Sequence, residues 1–304
     1  MNEFCVHILG CGSAMPTTRH MPSCQAIEYR EKVMIMDCGE GAQLSLRRAG
    51  IKFSRIAHVF ISHLHGDHVL GLPGLLSTLA MHDLGNTVHV HIFEEGARLM
   101  QDILDVMCHG SAINVAWDIV SPEGGVVYED RSITVTAFPL RHRVPCVGYR
   151  FQEKPKLRHL RGDMAKFLEI PVSLLPDIKA GADFVTPDGR VIPNDRLTTP
   201  ADHAASYAYA SDTMFSEDVI RAVSGVDVLY HEATYAHDRA EKAAVYGHST
   251  AAQAAEVARR AGAGTLLLGH YSKRYEDTAM HLTDAREIFP NTIAVKEGDV
   301  IDIL

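Results

Sequence analysis

One stretch constrains this chain more than any other: Ile61-Ser62-His63-Leu64-His65-Gly66-Asp67-His68. Three histidines and an aspartate fall within six residues, directly after the apolar run Ile56-Ala57-His58-Val59-Phe60-Ile61. Such a run reads as a strand buried on both faces, and a strand of that kind delivers the residues after it to one point at a sheet edge. His63 and His65 share strand parity, so both imidazoles can aim at one metal ion. Gly66 tolerates the turn after them, and Asp67 and His68 can then face a second ion a few ångströms away. A single His-x-His would be compatible with ordinary loop polarity. Four ligand-type side chains at a strand end are not, and the stretch reads as part of a dinuclear metal site.

The chain of 304 residues, 46% of them hydrophobic, can bury a large core. A net charge of −9 gives no global case for binding nucleic acid and leaves a local one open. Six cysteines are spread without a Cys-x-x-Cys pair, which suits free thiols in a reducing compartment. Met1-Asn2-Glu3-Phe4 does not open a signal peptide, and no stretch has the apolar length of a membrane span, so a cytoplasmic protein is expected.

The missing ligands are sought at other strand ends. Asp37 closes the apolar strand Val33–Asp37 beside Gly39-Glu40-Gly41, where a carboxylate can orient a ligand histidine from behind. A helix-like segment runs from Val69 to Met81. His142 comes after the strand Ile133–Phe138, between Arg141 and Arg143, whose charges would keep the imidazole neutral. Asp212 ends Ala205–Ala210 as Asp37 ends its own strand, and its two oxygens can bridge two ions. His231-Glu232-Ala233-Thr234 comes after Val226–Leu229, His248 precedes a helix capped by Ser249 or Thr250, and His270 ends Thr265–Leu268. His7, His58, His89 and His91 sit inside strand patterns and read as structural. The fold expected is α/β, with two sheets face to face, flanked by helices and carrying a site along a common edge.

Between Glu153 and Thr199 the character changes. Lys154, Lys156, Arg158, Arg161 and Lys166 make a locally basic segment, prolines break up the remainder into turns, and there is little sign of a core. A protruding arm that touches a polyanion fits this composition; so does an ordinary solvated surface.

The His-x-His-x-Asp-His motif, with later His, Asp and His at strand ends, resembles the metallo-β-lactamase superfamily. The fuller set is similar to the short-form transfer-RNA 3′-processing endonucleases, the ribonuclease Z family, over essentially the whole chain. It comprises Gly10-Cys11-Gly12-Ser13-Ala14-Met15-Pro16-Thr17, Asp37-Cys38-Gly39-Glu40-Gly41, Ser211-Asp212-Thr213, His231-Glu232-Ala233-Thr234, Gly247-His248-Ser249-Thr250 and His270-Tyr271-Ser272-Lys273-Arg274-Tyr275. The resemblance implies one metallo-β-lactamase-like αββα domain over 1–304, with a substrate arm at about 153–199. It implies two Zn²⁺ per subunit, with Mn²⁺ also compatible with N/O ligands. His63, His65 and His142 would hold one ion, Asp67, His68 and His270 the other, and Asp212 would bridge them. Asp37 and His231 would stand behind the ligands. Asp67 would handle the proton of the attacking water, and His248 with Glu232 would protonate the leaving oxygen. Lys154, Lys156, Arg158 and Arg161 would grip RNA. The partners implied are precursor transfer RNA and a second subunit in a homodimer. One departure is that Arg19-His20-Met21-Pro22-Ser23 stands where the family usually has an Arg-Asn stretch. Two other readings compete: a binuclear phosphodiesterase of the same fold acting on small cyclic nucleotides, and a metal-stabilised RNA-binding protein without catalysis.

Overall fold

The computed structural model describes residues 4–82, 87–108 and 113–303. Contacts within it divide the chain into two compact units, one of residues 1–130, 134–151 and 206–304, the other of residues 131–133 and 152–205.

The larger unit holds two seven-stranded sheets. In the first the spatial order is Val300–Asp302, Phe4–Gly10, Cys24–Tyr29, Lys32–Cys38, Ile56–Phe60, Thr87–Ile92 and Asn114–Ile119. Its first four strands pair antiparallel, with a short turn joining only Cys24–Tyr29 to Lys32–Cys38; from Lys32–Cys38 onward the pairing is parallel. Parallel pairing needs crossovers, which the helices Ala42–Arg48 and Leu72–Met81 supply. Lys32–Cys38 is buried along nearly its whole length, which accounts for its unbroken Val-Met-Ile-Met run. One core packs those helices and Glu94–Met107 on this sheet, around Leu46, Leu72, Leu75, Leu76 and Val90.

The second sheet runs Thr292–Ala294, Thr265–Gly269, Val228–Glu232, Ser206–Ala210, Val147–Glu153, Ile133–Pro139 and Gly125–Glu129. Its buried tyrosines reach across to the first. Tyr149 Oη donates to the Ile61 carbonyl at 2.8 Å, Tyr209 Oη to Asp37 at 2.8 Å, and Tyr207 Oη to Gln25. A buried phenol needs such a partner, so these bonds fix how the two sheets stack. The expected layered α/β architecture is the one found.

The helix placed at Val69–Met81 begins earlier and in two pieces, Gly66–Val69 and Leu72–Met81. Gly71 explains the break. A Cβ there would lie 2.0 Å from the Gly39 carbonyl oxygen, and its N–H donates to Cys38 O at 2.8 Å. The metal motif is thereby held against the turn after Asp37.

The smaller unit has more internal structure than its composition announced. Ile170, Ile178, Phe184 and Leu197 form a core of their own, backed by Leu160, Leu168, Leu175 and Ile192. Asn194 is buried among them, donating to the Ile178 and Ala182 carbonyls at 2.7 Å each. The expectation of a coreless segment is therefore corrected: apolar residues spaced between prolines close around one buried amide.

Candidate metal centre

The ends of several strands meet at one edge of the larger unit. There the structure brings together two groups of ligand-type atoms. In the first, His63 Nε2 lies 3.0 Å from His65 Nδ1, which lies 3.3 Å from His142 Nε2. In the second, His68 Nε2 lies 3.3 Å from His270 Nε2, and Asp67 Oδ2 is 3.5 Å from each. Asp212 stands between them. Its Oδ2 faces the first group, 3.6 Å from His63 and 3.8 Å from His142. Its Oδ1 faces the second, 3.1 Å from His270 and 3.5 Å from His68.

These separations suit cation binding. Zn–N bonds of about 2.0–2.1 Å at tetrahedral angles put ligand nitrogens roughly 3.3 Å apart, close to the imidazole pairs here. Asp212 Oδ1 is buried and accepts no hydrogen bond. A carboxylate oxygen left so, amid imidazole nitrogens, is costly without a cation. The residues present fit a pair of divalent ions.

Four of the five rings are held from behind, which fixes the nitrogen they turn to the centre. His63 Nδ1 meets Ser62 Oγ at 3.0 Å, and Ser62 Oγ donates onward to Asp37 Oδ2. His68 Nδ1 donates to Asp37 Oδ2 at 2.7 Å. His142 Nδ1 donates to the Gly247 carbonyl at 2.8 Å, and His270 Nδ1 to Thr234 Oγ1 at 2.8 Å. Burial keeps His63, His65 and His142 below the ordinary histidine pKa. For His142 this corrects the sequence argument: desolvation is the largest cause, and the flanking arginines are not among those found.

Behind the centre, Glu232 is fully buried and accepts five hydrogen bonds. They come from the Thr213, Thr234 and Ser249 amides, from Thr234 Oγ1, and from His248 Nδ1 at 2.9 Å. Burial opposes charge on His248, but the Glu232 carboxylate overrides it and holds the imidazole up at about 9. Burial likewise opposes charge on Glu232, which His248 nevertheless draws down to about 2. Nearby divalent cations would oppose protonation of that histidine. With Nδ1 committed to Glu232, Nε2 is the nitrogen His248 can offer to the cleft it lines. That cleft, of about 340 Å³, is also lined by Ser13, Ala14, Asp67, Arg143, Asp212 and His270.

Sequence reasoning missed Ser62, Thr234, Tyr209 and the Ala14 amide, which donates to Asp67 Oδ2 at 2.7 Å. Ser62 and Thr234 lay inside motifs already singled out, next to charged residues that drew the eye. His231 is not brought to the centre. It is buried, with Nδ1 on its neighbour's carbonyl at 2.7 Å. The unmatched Arg19-His20 pair has work of its own. Arg19 donates to the Lys273 and Tyr275 carbonyls, and His20 Nδ1 sits 3.1 Å from Glu297. In the smaller unit, Lys156 pairs with Glu153 and Arg158 with Asp195. Eight Lys and Arg face seven Asp and Glu over 153–199, so positive charge is concentrated in its first part.

Comparison with known proteins places this geometry. The family model described as anti-Pycsar protein Apyc1 matches residues 4–155. The structure is similar to human tRNase Z, short form, with a TM-score of 0.71 and 21% identity over 99% of both chains. It is also similar to the metallo-β-lactamase fold protein YhfI of Bacillus subtilis, with a TM-score of 0.70 and 17% identity over 98% of both. The sequence is 49% identical to ribonuclease Z of Parabacteroides distasonis over 98% of each chain. With that likeness running through both halves, on the metallo-β-lactamase fold, the chain belongs to the ribonuclease Z family.

Proposed function

We propose that this chain is a metal-dependent endoribonuclease that removes the 3′ trailer from precursor transfer RNA, leaving a 3′-hydroxyl on the transfer RNA and a 5′-phosphate on the trailer. The observation that carries this reading is a buried Glu232–His248 pair beside two groups of cation ligands, in a chain that matches a ribonuclease Z from end to end. His63, His65 and His142 would hold one ion, Asp67, His68 and His270 the other, with Asp212 between the two groups. Bound divalent ions, Zn²⁺ or Mn²⁺, would lower the pKa of a water and offset charge on the phosphoryl oxygens.

The protein's own groups do the rest. Asp37 and Thr234 hold His68 and His270 with Nε2 inward. The Ala14 amide leaves one Asp67 oxygen fixed, so that its carboxylate can orient a water proton. His248 Nε2 gives its proton to the departing 3′ oxygen of the transfer RNA, and Glu232 steadies the charged imidazole before transfer. Lys154, Lys156, Arg158 and Arg161 touch the phosphate backbone of an A-form stem, read by shape rather than sequence. The working form is a cytoplasmic homodimer in which the basic segment of one subunit serves the centre of the other.

The test is to load the protein with Zn²⁺, measure its metal content, and map the 5′ end of the trailer released from a precursor transfer RNA. A small phosphodiester such as bis(p-nitrophenyl) phosphate is assayed on the same sample. Cleavage at the end of the acceptor stem, lost when the four basic residues become alanine while the small substrate still turns over, supports the reading. Hydrolysis of small phosphodiesters alone favours a cyclic-nucleotide phosphodiesterase, and RNA binding without cleavage a non-catalytic binder. Light scattering reads the dimer.

A further inference from the structure

A second kind of ligand cluster lies on the first sheet, away from the site edge. Cys5 and His7 sit near the start of Phe4–Gly10, whose other end leads into the loop at the metal centre. In the sheet register Cys5 lies opposite Glu28 on one side and Asp302 on the other. Residues so paired have neighbouring side chains, and strand parity puts His7 on the same face as Cys5. Cys5 Sγ is 3.6 Å from His7 Nε2, and His7 Nε2 is 3.5 Å from Glu28 Oε2. All three ligand atoms lie within 4.8 Å of one another.

From this geometry we infer that Cys5, His7 and Glu28 form a further cation site, for Zn²⁺ or another thiophilic divalent ion. Zn–S bonds of about 2.3 Å and Zn–N or Zn–O bonds of about 2.0–2.2 Å put tetrahedral S···N edges near 3.6 Å and N···O edges near 3.4 Å. The observed S···N and N···O separations, 3.6 and 3.5 Å, are close to those values. A water completes the shell, and Asp302, across the strand pair, adds its charge nearby. The charges also close. Arg55 holds the other Glu28 oxygen at 2.9 Å. Cys5 thiolate, Glu28, Asp302 and Arg55 sum to −2, which one divalent ion neutralises. Burial and the two carboxylates hold the free thiol up at about 11, so binding releases a proton from Cys5.

The neighbouring Cys11–His20–Glu297 group makes a contrast. Both Glu297 oxygens are engaged there, one by the Cys11 and Met21 amides and the other by His20. Cys11 itself is wholly buried and donates to the Val295 carbonyl. That group is a hydrogen-bonded clamp and needs no ion. At Cys5 the three ligand atoms have one another and a half-open surface. An ion there would tie Phe4–Gly10 to Cys24–Tyr29.

The test exploits sulfur. The ligand groups at the site edge contain no cysteine, so a thiolate-to-metal charge-transfer absorption in the Co²⁺-loaded full chain reports on this cluster and not on that one. The expected result is a near-ultraviolet thiolate–cobalt band in the wild type and in Cys11→Ser, absent from Cys5→Ser and weakened in His7→Gln. Zinc content after dialysis should fall by one equivalent in Cys5→Ser with RNA cleavage unchanged. Should Cys5→Ser fold poorly, Glu28→Gln keeps the thiol and should lower the affinity for Co²⁺ at least tenfold. No thiolate band in the wild type, or a band that survives Cys5→Ser, overturns the assignment.

Discussion

Replacing Asp37 by asparagine tests how far the metal centre depends on the groups that stand behind it. Asp37 is fully buried, and its two oxygens are unequally used. Oδ1 accepts from the Ser62 amide at 2.7 Å; Oδ2 accepts from His68 Nδ1 at 2.7 Å and from Ser62 Oγ and Tyr209 Oη at 2.8 Å each. Asparagine keeps the shape and tolerates the φ of +51° found here, but it has one acceptor oxygen instead of two. With its carbonyl at the Oδ2 position, the NH₂ meets the Ser62 N–H head-on. Turned over, it meets His68 Nδ1–H, and the imidazole must shift its proton to the nitrogen that faces the centre. Either way at least one buried donor loses its acceptor, costing about 1–3 kcal/mol of stability for each. Loss of the carboxylate's charge would also weaken His68 as a ligand, by about 10–100-fold in affinity for the ion it would hold. Chelator competition with a zinc indicator reads the affinity, and thermal unfolding of the metal-free protein reads the stability. An Asp37→Asn protein that matches the wild type in both would refute the reasoning.

The same geometry sets other outcomes. Asp212→Ala removes the one carboxylate that faces both groups, so bound metal and cleavage should vanish together, as elemental analysis and an RNA assay will read. His248→Ala should keep both ions while cleavage slows by about 10²–10⁴-fold, the usual worth of general acid catalysis; metal lost along with activity would contradict that division of roles. Glu297→Gln should loosen the loop that carries Ala14, since Glu297 binds the Cys11 and Met21 amides and His20. The expected sign is a lower kcat at unchanged KM, with faster amide exchange around Ala14. Burial, then neighbouring His89 and Lys32, depress His58 to about 4, while burial and His58 bring His91 to about 3. Because these folded values lie below the unfolded one of about 6.5, the stability they contribute is present above pH 6.5. It is lost as pH falls through about 4 and then 3. A melting-temperature profile of metal-free His91→Phe, which keeps the stack on Phe60, should be flatter over that window.

The sheets were legible because many of their strands are apolar runs, and the ligand-type residues that the structure gathers were legible because they sit where such runs stop. Sequence could not yield the contacts set by packing across the two sheets. Tyr209 and Asp37 are far apart in the chain, and nothing local to either announces their 2.8 Å bond. The Ala14 amide carries no side-chain signal at all. Arg141 and Arg143 misled in the opposite way: they adjoin His142 in sequence, yet burial sets that ring's charge state. In the basic run 154–166, Arg158 looked uncommitted because its acidic partner, Asp195, comes much later. Sequence adjacency overstated some electrostatics and hid others.

Backbone strain marks the same edge independently of the ligands. Five described non-glycine residues have φ between +51° and +63°: Ala14, Arg30, Asp37, Glu169 and His270. Three of the five belong to the centre, one holding Asp67, one holding His68, one a ligand-type residue itself. Such conformations cost about 1–3 kcal/mol each and persist only where the surroundings over-determine them. Here the surroundings do. His270 is tied by Thr234, Asp37 by five donors, and the loop bearing Ala14 by Glu297 through His20 and two amides. A strand that simply stopped would let these residues relax into extended backbone and turn their side chains away. Holding Asp37 and His270 in the left-handed region where their strands end instead swings the side chain back over the sheet edge. The fold stores strain where it sets ligand direction, and the bonds around Asp37 and Glu232 are what keep it there.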